Sequence, residues 1–246
     1  MRTAASGPGP VNGCALLSGL LPVGVVVAEA RGDEAAGPVH PEEAAQVGSA
    51  SVARRREFLT TRSCARRALA ALGQAPGPIP VGPHREPCWP AGFVGSLTHC
   101  DGYRAAAVAR ASDVWTLGID AEPDGPMPEG VLRHIALPAE RRMVAELTVA
   151  EPDVHWDRLL FSAKESLYKA WFPRARRWLD FLDAELTFAA GRPTFTARVL
   201  QPGRLPFDLA PGRWARRDGL LLTAVSIATP PVRGAARDGG IPSAVH

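Results

Sequence analysis

Lysine is nearly absent from this 246-residue chain. Among its 28 Lys and Arg residues only Lys164 and Lys169 are lysines, and they stand five positions apart within residues 161–170. Arginine and lysine are not interchangeable where a compact ammonium group must approach a phosphate or move a proton. The exception therefore indicates a site that needs lysine chemistry, although a lysine pair on a solvated helix face would also account for it.

Cysteine is scarce, and charge is nearly balanced. The chain has four cysteines without CxxC spacing: Cys14, Cys64, Cys88 and Cys100. That pattern favours reduced thiols in a cytoplasmic protein over a disulfide scaffold or a zinc site. A net charge of +3 is too small for bulk nucleic-acid binding. We therefore expect a cytoplasmic protein without a nucleic-acid partner.

Long apolar runs are also missing. Residues 14–30 have the composition of a signal-peptide core, but Pro22 and Gly24 interrupt them. A Val-Val-Val run followed by Glu29 is typical of a buried strand that enters the fold. No other run approaches the roughly 18 apolar residues of a membrane helix, so we expect no membrane span.

Helical and strand patterns are mixed in two halves of comparable size, which predicts an α+β fold. Two long helices are predicted, over residues 51–73 and 156–172. The predicted divisions are a flexible N-terminus (1–13), an N-terminal half (14–121), a C-terminal half (122–229) and a flexible tail (230–246). The other predicted elements are strands over 93–98, 105–109, 114–122, 185–188, 194–200 and 219–227, and helices over 131–135 and 139–147.

Carboxylates recur at spacings that let them converge. Asp120 and Glu122 end a predicted strand at positions i and i+2, so both point to one side of it. Glu165 and Lys169, at i and i+4, share a face of the second long helix. Two strand carboxylates and one helix carboxylate form an incomplete oxygen shell, which suits Mg²⁺ because this ion completes its octahedron with water and substrate phosphate.

Each of these pairs has an ordinary explanation when taken alone. Acidic residues are common where a strand meets a turn, and a surface helix ion pair contributes only about 0.3–0.5 kcal/mol. Arg55, Arg62 and Arg66 share one face of the first long helix, and a solvated face would explain that stripe. These ordinary explanations do not account for the further cations that the two-half arrangement brings together, namely His84, Arg85, His99 and the two lysines. A phosphate ligand would need such a cluster of cations.

Three motifs stand in order along the chain. They are Gly-Ser-Leu-Thr-His-Cys ending at Cys100, Gly-Ile-Asp-Ala-Glu ending at Glu122, and Phe-Ser-Ala-Lys-Glu-Ser-Leu-Tyr-Lys-Ala ending at Ala170. Together they closely resemble the signatures of the Sfp/EntD-type 4′-phosphopantetheinyl transferases. The Arg-Arg-Arg-Glu-Phe and Glu-Pro-Cys-Trp-Pro segments, ending at Phe58 and Pro90, resemble the actinobacterial version. The resemblance covers residues 25–228.

The resemblance implies a monomer of two similar α/β halves in a pseudo-twofold arrangement, with coenzyme A bound between them. It implies transfer of 4′-phosphopantetheine from coenzyme A to a serine of an acyl, aryl or peptidyl carrier protein, with release of adenosine 3′,5′-bisphosphate. Such a reaction activates fatty acid, polyketide and nonribosomal peptide synthases, including those for siderophores.

The resemblance also implies roles for matching residues. Mg²⁺, or Mn²⁺, would be held by Asp120, Ala121, Glu122 and Glu165. Coenzyme A would be bound by Arg54, Arg62, Gly82, His84, Thr98, His99, Asp120, Glu165 and Lys169. Asp120, Glu165 and Lys169 are the implied catalytic residues, Glu165 accepting the serine proton and Lys169 stabilising the departing bisphosphate.

Four alternatives stay open at the level of sequence. Glu165 can be a base or only a metal ligand, and helical geometry would prefer Arg55 to Arg54 on the Arg62 face. A Mg²⁺-dependent phosphohydrolase acting on a nucleotide-like diphosphate would need the same charges without a carrier. A nucleotide- or RNA-binding module would need clustered aromatic residues for stacking, and the aromatic residues here are spread along the chain.

Overall fold

The computed structural model describes residues 15–34 and 39–230, and its helices and strands form two antiparallel sheets with helices packed against them. The helices are α1 (Pro41–Gln46), α2 (Val52–Ala71), α3 (Val131–Ile135), α4 (Pro138–Ala150) and α5 (Trp156–Ala175). The strands are β1 (Val26–Arg31), β2 (Phe93–Cys100), β3 (Tyr103–Arg110), β4 (Val114–Pro123), β5 (Ala184–Phe188), β6 (Thr194–Val199), β7 (Leu209–Arg217) and β8 (Leu220–Ala228). The predicted α+β class is confirmed.

The two sheets have the orders β1-β3-β2 and β4-β8-β7-β6-β5. Helix α2 covers the first sheet with small apolar side chains, since Ala65 and Ala68 pack against Ala106 and Val108 of β3. Helix α5 covers the second sheet and buries Trp156, Leu160 and Trp171 in the larger core. Each half therefore has its own sheet and its own long helix.

Strand β4 joins the two halves. It pairs through its backbone with β8, and on its other side two side chains of β2 take the place of a backbone ladder. The hydroxyl of Ser96 accepts the Ile119 amide at 3.0 Å, and that of Thr98 accepts the Ala121 amide at 3.0 Å. The predicted division between residues 121 and 122 falls within this strand and stays a prediction.

Most predicted elements match the observed ones, and two were missed. The short helix α1 has too few residues for a clear period. Strand β7 contains Pro211 and Gly212, two residues that weaken a strand pattern. The predicted flexible termini lie outside the described residues, apart from Pro230. Within the described part of the chain, no helix has the length and apolar character needed to cross a membrane.

Candidate active site

Asp120 is the centre of the candidate site. Its side chain is buried near the end of β4, where Oδ1 accepts hydrogen bonds from Lys169 Nζ at 2.7 Å and Thr98 Oγ1 at 3.2 Å. Its second oxygen, Oδ2, is also buried and has no hydrogen-bond partner among the described residues. A buried carboxylate oxygen without a partner is costly, so Oδ2 is suited to a cation or a donor that the protein itself does not supply.

Gly118 allows α5 to approach Asp120 closely. A Cβ atom at this position would collide with the backbone of Ser166 and would lie 2.7 Å from the Ala170 nitrogen, so α5 crosses β4 in direct contact. Thr116 fixes the crossing, because its hydroxyl donates to the Ala170 carbonyl at 2.6 Å. The close approach lets Lys169 Nζ reach both the Ile119 carbonyl, at 3.2 Å, and the Asp120 carboxylate.

Glu122 and Glu165 complete an acidic group around Asp120. Burial raises the pKa of Glu165, and the negative charges of Asp120 and Glu122 raise it further while Lys169 opposes them. Burial and the charge of Asp120 likewise raise the pKa of Glu122, against its ion pair with Arg158 at 3.0 Å. The three carboxylates therefore share one electrostatic environment.

The acidic group fits a hard divalent ion by chemistry, while its present arrangement is not a closed metal shell. Among residues 15–34 and 39–230 no three acidic, His or Cys side chains surround a single point. Arg158 forms an ion pair with Glu122, and Lys169 forms one with Asp120. These two cations therefore neutralise part of the negative charge of the acidic group. Carboxylate oxygens are the ligands that Mg²⁺ prefers, and Asp120 Oδ2 is free to serve as one.

A second charged group joins α2 to His99 of β2. Arg54 Nη1 stands 2.7 Å from His99 Nε2 and 2.8 Å from Glu57 Oε2, and Glu57 Oε1 is 3.1 Å from the same ring nitrogen. Burial lowers the pKa of His99, and the charges of Arg54, Lys169 and Arg104 lower it further against Glu57. Arg55 donates instead to the Gly48 carbonyl. The structure thus places Arg54, and not Arg55, beside His99.

The three arginines that share one face of α2 bind three different partners. Arg62 is buried, donates from Nε to the Ile79 carbonyl at 2.9 Å and lies over the Phe58 ring, and burial lowers its pKa to about 10. Arg66 pairs with the buried Glu43 at 2.7 Å. Helical spacing places these residues on one face, but the covering loop and α1 give each of them a different partner.

Gly82 and His84 lie in a tight turn before β2. The Gly82 amide donates to the Glu86 carbonyl at 2.7 Å, and the His84 ring meets the ring of Phe172 on α5 edge-on, with centroids 5.3 Å apart. The turn thus lies against the same helix as Glu165 and Lys169. Thr98 is buried, and its hydroxyl donates to the Asp120 carboxylate and accepts the Ala121 amide.

An apolar groove of about 110 Å³ opens beside Glu165. Its walls include Tyr168, Trp178, Leu179 and Phe181, and Trp178 is exposed. The sequence motifs do not reveal this groove, nor the roles of Arg158 and Glu57, which bind Glu122 and His99. Spacing carried a signal for two of them, since Glu57 stands three positions after Arg54 and Arg158 seven before Glu165 on α5.

Comparison with known proteins decides the family. The family model for the 4′-phosphopantetheinyl transferase N-terminal domain matches residues 42–109, and that for the 4′-phosphopantetheinyl transferase superfamily matches residues 116–214. The chain belongs to the 4′-phosphopantetheinyl transferase superfamily. The resemblance drawn from the three motifs is confirmed, and with it the prediction that this chain is an enzyme.

Curated relatives of this phosphopantetheinyl transferase include proteins of Streptomyces and Mycobacterium. It is 51% identical over 222 residues to the 4′-phosphopantetheinyl transferase Svp of Streptomyces mobaraensis, covering 87% of this chain and 90% of the relative. It is 49% identical over 195 residues to PptT of Mycobacterium tuberculosis, covering 75% and 84%. The holo-[acyl-carrier-protein] synthase of Thermotoga maritima, at 19% identity and a TM-score of 0.36 over 46% of this chain and 62% of that one, is too distant to carry an argument.

Proposed function

We propose that this phosphopantetheinyl transferase moves 4′-phosphopantetheine from coenzyme A to a serine of acyl, aryl or peptidyl carrier proteins, with Mg²⁺ as the metal ion. The observation that carries the proposal is the buried, unpartnered Oδ2 of Asp120, whose charge is felt by Glu122 and Glu165 and whose other oxygen is bound by Lys169. An opposed set of carboxylates and cations suits a diphosphate bound through a divalent ion.

Asp120, Glu122 and Glu165 are the proposed metal ligands, and the Ala121 backbone adjoins them. When bound, Mg²⁺ would neutralise negative charge on the diphosphate, and Mn²⁺ has similar ligand preferences. Arg158 binds the Oε2 atom of Glu122 at 3.0 Å, and the Asp120 carboxylate presents its unpartnered Oδ2. The two cations that hold these carboxylates are therefore part of the proposed site.

Arg54, His99 and Arg62, with Gly82 and His84 of the turn before β2, are the proposed contacts of the nucleotide and its phosphates. Arg54 and His99 are within hydrogen-bond distance of one another, so one phosphate can meet both. The pantetheine arm is proposed to enter the apolar groove along Tyr168 and Trp178, since the groove begins at Glu165 and is mostly hydrophobic.

The chemical step is a displacement at the phosphorus that carries the pantetheine group. The serine oxygen forms the new P–O bond, the bond to the bridging oxygen breaks, and adenosine 3′,5′-bisphosphate leaves. Glu165 is proposed to take the serine proton, because its raised pKa makes it a stronger base than an ordinary carboxylate. Lys169, which faces Asp120, is placed to stabilise the charge that develops on the leaving oxygen.

One assay tests the proposal. The protein is incubated with coenzyme A and Mg²⁺, with and without an apo carrier protein, and the carrier mass is read by mass spectrometry. We expect the carrier to gain one phosphopantetheine only when its serine and a divalent ion are present. Consumption of coenzyme A without carrier would support the phosphohydrolase alternative. Chromatography of the purified protein tests the proposed monomer.

Asp120→Ala is the variant for the same assay. We expect it to lose transfer and to keep its circular dichroism, because Asp120 packs no apolar core. Normal transfer by this variant would contradict the metal assignment.

Cytoplasmic location is also proposed, in agreement with the free thiols of Cys64, Cys88 and Cys100.

A further inference from the structure

Residues 82–86, the His84 turn, are tied to α5 by an ion pair that has no part in the proposed chemistry. Glu86 Oε1 accepts a hydrogen bond from Arg176 Nη1 at 2.7 Å. The two residues belong to different halves of the protein, since the turn precedes β2 and Arg176 follows the last residue of α5. The Glu86 side chain is only 11% exposed, whereas that of Arg176 is 65% exposed.

The Glu86 carboxylate also builds the turn from inside. Its Oε2 accepts the His84 amide at 2.9 Å, and a Cβ atom on Gly82 would lie 2.5 Å from the Glu86 Cδ atom. Glycine at position 82 thus leaves space for this carboxylate. Arg85 adopts a left-handed conformation at φ 70°, which closes the turn. One carboxylate therefore sets the shape of the turn with one oxygen and its attachment to α5 with the other.

The face of α5 that receives the turn is the face that carries Glu165. Glu165, Tyr168 and Phe172 follow at spacings of three and four residues, which places them in one column of α5. Tyr168 and Phe172 have ring centroids 5.7 Å apart, and the Arg176 guanidinium lies over the Phe172 ring at 5.9 Å. Burial raises the pKa of Tyr168, and the negative charges of Glu165 on α5 and Glu86 in the turn raise it further.

We propose that Glu86 and Arg176 are positioning residues for the transfer reaction: they hold the His84 turn against the Phe172 side of α5, so that the nucleotide contacts keep a fixed distance from Glu165 and Lys169. The inference rests on the proposed function, because it assigns the turn to the nucleotide. Neither residue needs to contact coenzyme A. Their effect reaches the ligand through Gly82 and His84.

The test compares Glu86→Gln, Arg176→Gln and the double variant with wild type. The dissociation constant of adenosine 3′,5′-bisphosphate is measured by calorimetry without metal, and KM for coenzyme A and kcat are measured with an apo carrier. We expect each single change to raise the dissociation constant and KM by about three- to tenfold, the range for a partly exposed charged hydrogen bond. We expect kcat to stay within about twofold of wild type and the double variant to equal the weaker single one.

Asp218→Asn is the matched control. Arg31 and Asp218 form another ion pair at 2.6 Å between the two halves, with side chains 51% and 65% exposed, far along the chain from the turn. Asparagine tolerates the positive φ of Asp218, so the turn there keeps its shape. We expect this variant to bind the bisphosphate and coenzyme A as wild type does, because the Arg31–Asp218 ion pair links the two halves away from the proposed nucleotide contacts.

Three results would overturn the inference. The first is unchanged bisphosphate affinity and KM in Glu86→Gln; the second is the same loss in Asp218→Asn; the third is additive losses in the double variant, which would show independent roles. Failure of the proposed function gives a different result, since wild type would then leave the carrier unmodified whatever residue stands at position 86. A loss of bisphosphate affinity would still support the positioning role in that case.

Discussion

Lys164 and Glu140 form a buried ion pair that ties α5 to α4. The Lys164 ammonium lies 2.7 Å from Glu140 Oε2 and also donates to the carbonyls of Phe181 and Ala184, at 2.6 and 3.0 Å. Glu140 accepts the Leu186 amide at 2.8 Å as well. Both side chains are almost fully enclosed. The two lysines of the chain therefore do different work: Lys164 stabilises the second half, and Lys169 faces Asp120.

Lys164→Met is expected to destabilise the protein by about 3–5 kcal/mol, because it leaves the Glu140 carboxylate buried without its cation. Adding Glu140→Gln should recover part of the loss, since the remaining carbonyl oxygen can still accept a backbone amide. Urea unfolding measures both, and kcat is compared per folded molecule. Unchanged stability together with a lower kcat would indicate that Lys164 acts in the cleft and not in stabilising the second half.

Lys169→Arg keeps the charge and is expected to lower kcat about tenfold or more. The ammonium of Lys169 donates to both the Ile119 carbonyl and Asp120 Oδ1, and a planar guanidinium cannot reproduce the geometry of this compact point charge. Steady-state transfer to one carrier at saturating Mg²⁺ and coenzyme A is the measurement. Full kcat in this variant would mean that any cation serves, and that the scarcity of lysine elsewhere has no bearing on the reaction.

Sequence periodicity was sufficient for much of the site. The i, i+2 spacing placed Asp120 and Glu122 at one end of a strand, and the helical period brought Lys169 to the face of α5 that meets them, as the 2.7 Å contact with Asp120 shows. The long helices were predicted nearly to their ends, because their apolar faces repeat at helical spacing.

The choice of partners was beyond the reach of periodicity. Spacing puts Lys164 about 100° around the helix from Glu165, but it does not reveal that α4 and its Glu140 cover that side. Strand β7 was missed because Gly212, which leaves room for the Phe195 ring, interrupts its pattern. In both cases a contact between segments distant in sequence determines the local structure, and the local sequence pattern does not reveal that contact.

Gly118→Ala tests the contact between β4 and α5. The added Cβ would collide with the Ser166 carbonyl, and backbone cannot rotate away, so we expect a loss of about 3 kcal/mol or more, or failure to fold. Gly77→Ala is the control, since a Cβ there meets nothing within 4 Å. Thermal unfolding of both variants is compared with wild type. Equal stability of the two would show that α5 can lift from β4 without cost.

Binding of adenosine 3′,5′-bisphosphate is expected to take up a proton at His99. Burial and neighbouring cations hold the pKa of this imidazole below its ordinary value, so the ring is mostly neutral at pH 7 in the free protein. A phosphate beside it favours the charged form and raises the pKa, and the affinity must therefore rise as the pH falls from 8 to 6. Calorimetry without metal, in two buffers of different ionisation enthalpy, measures the proton uptake directly. His99→Gln should remove that uptake and flatten the pH dependence, whereas uptake that persists in this variant would assign the proton to another group.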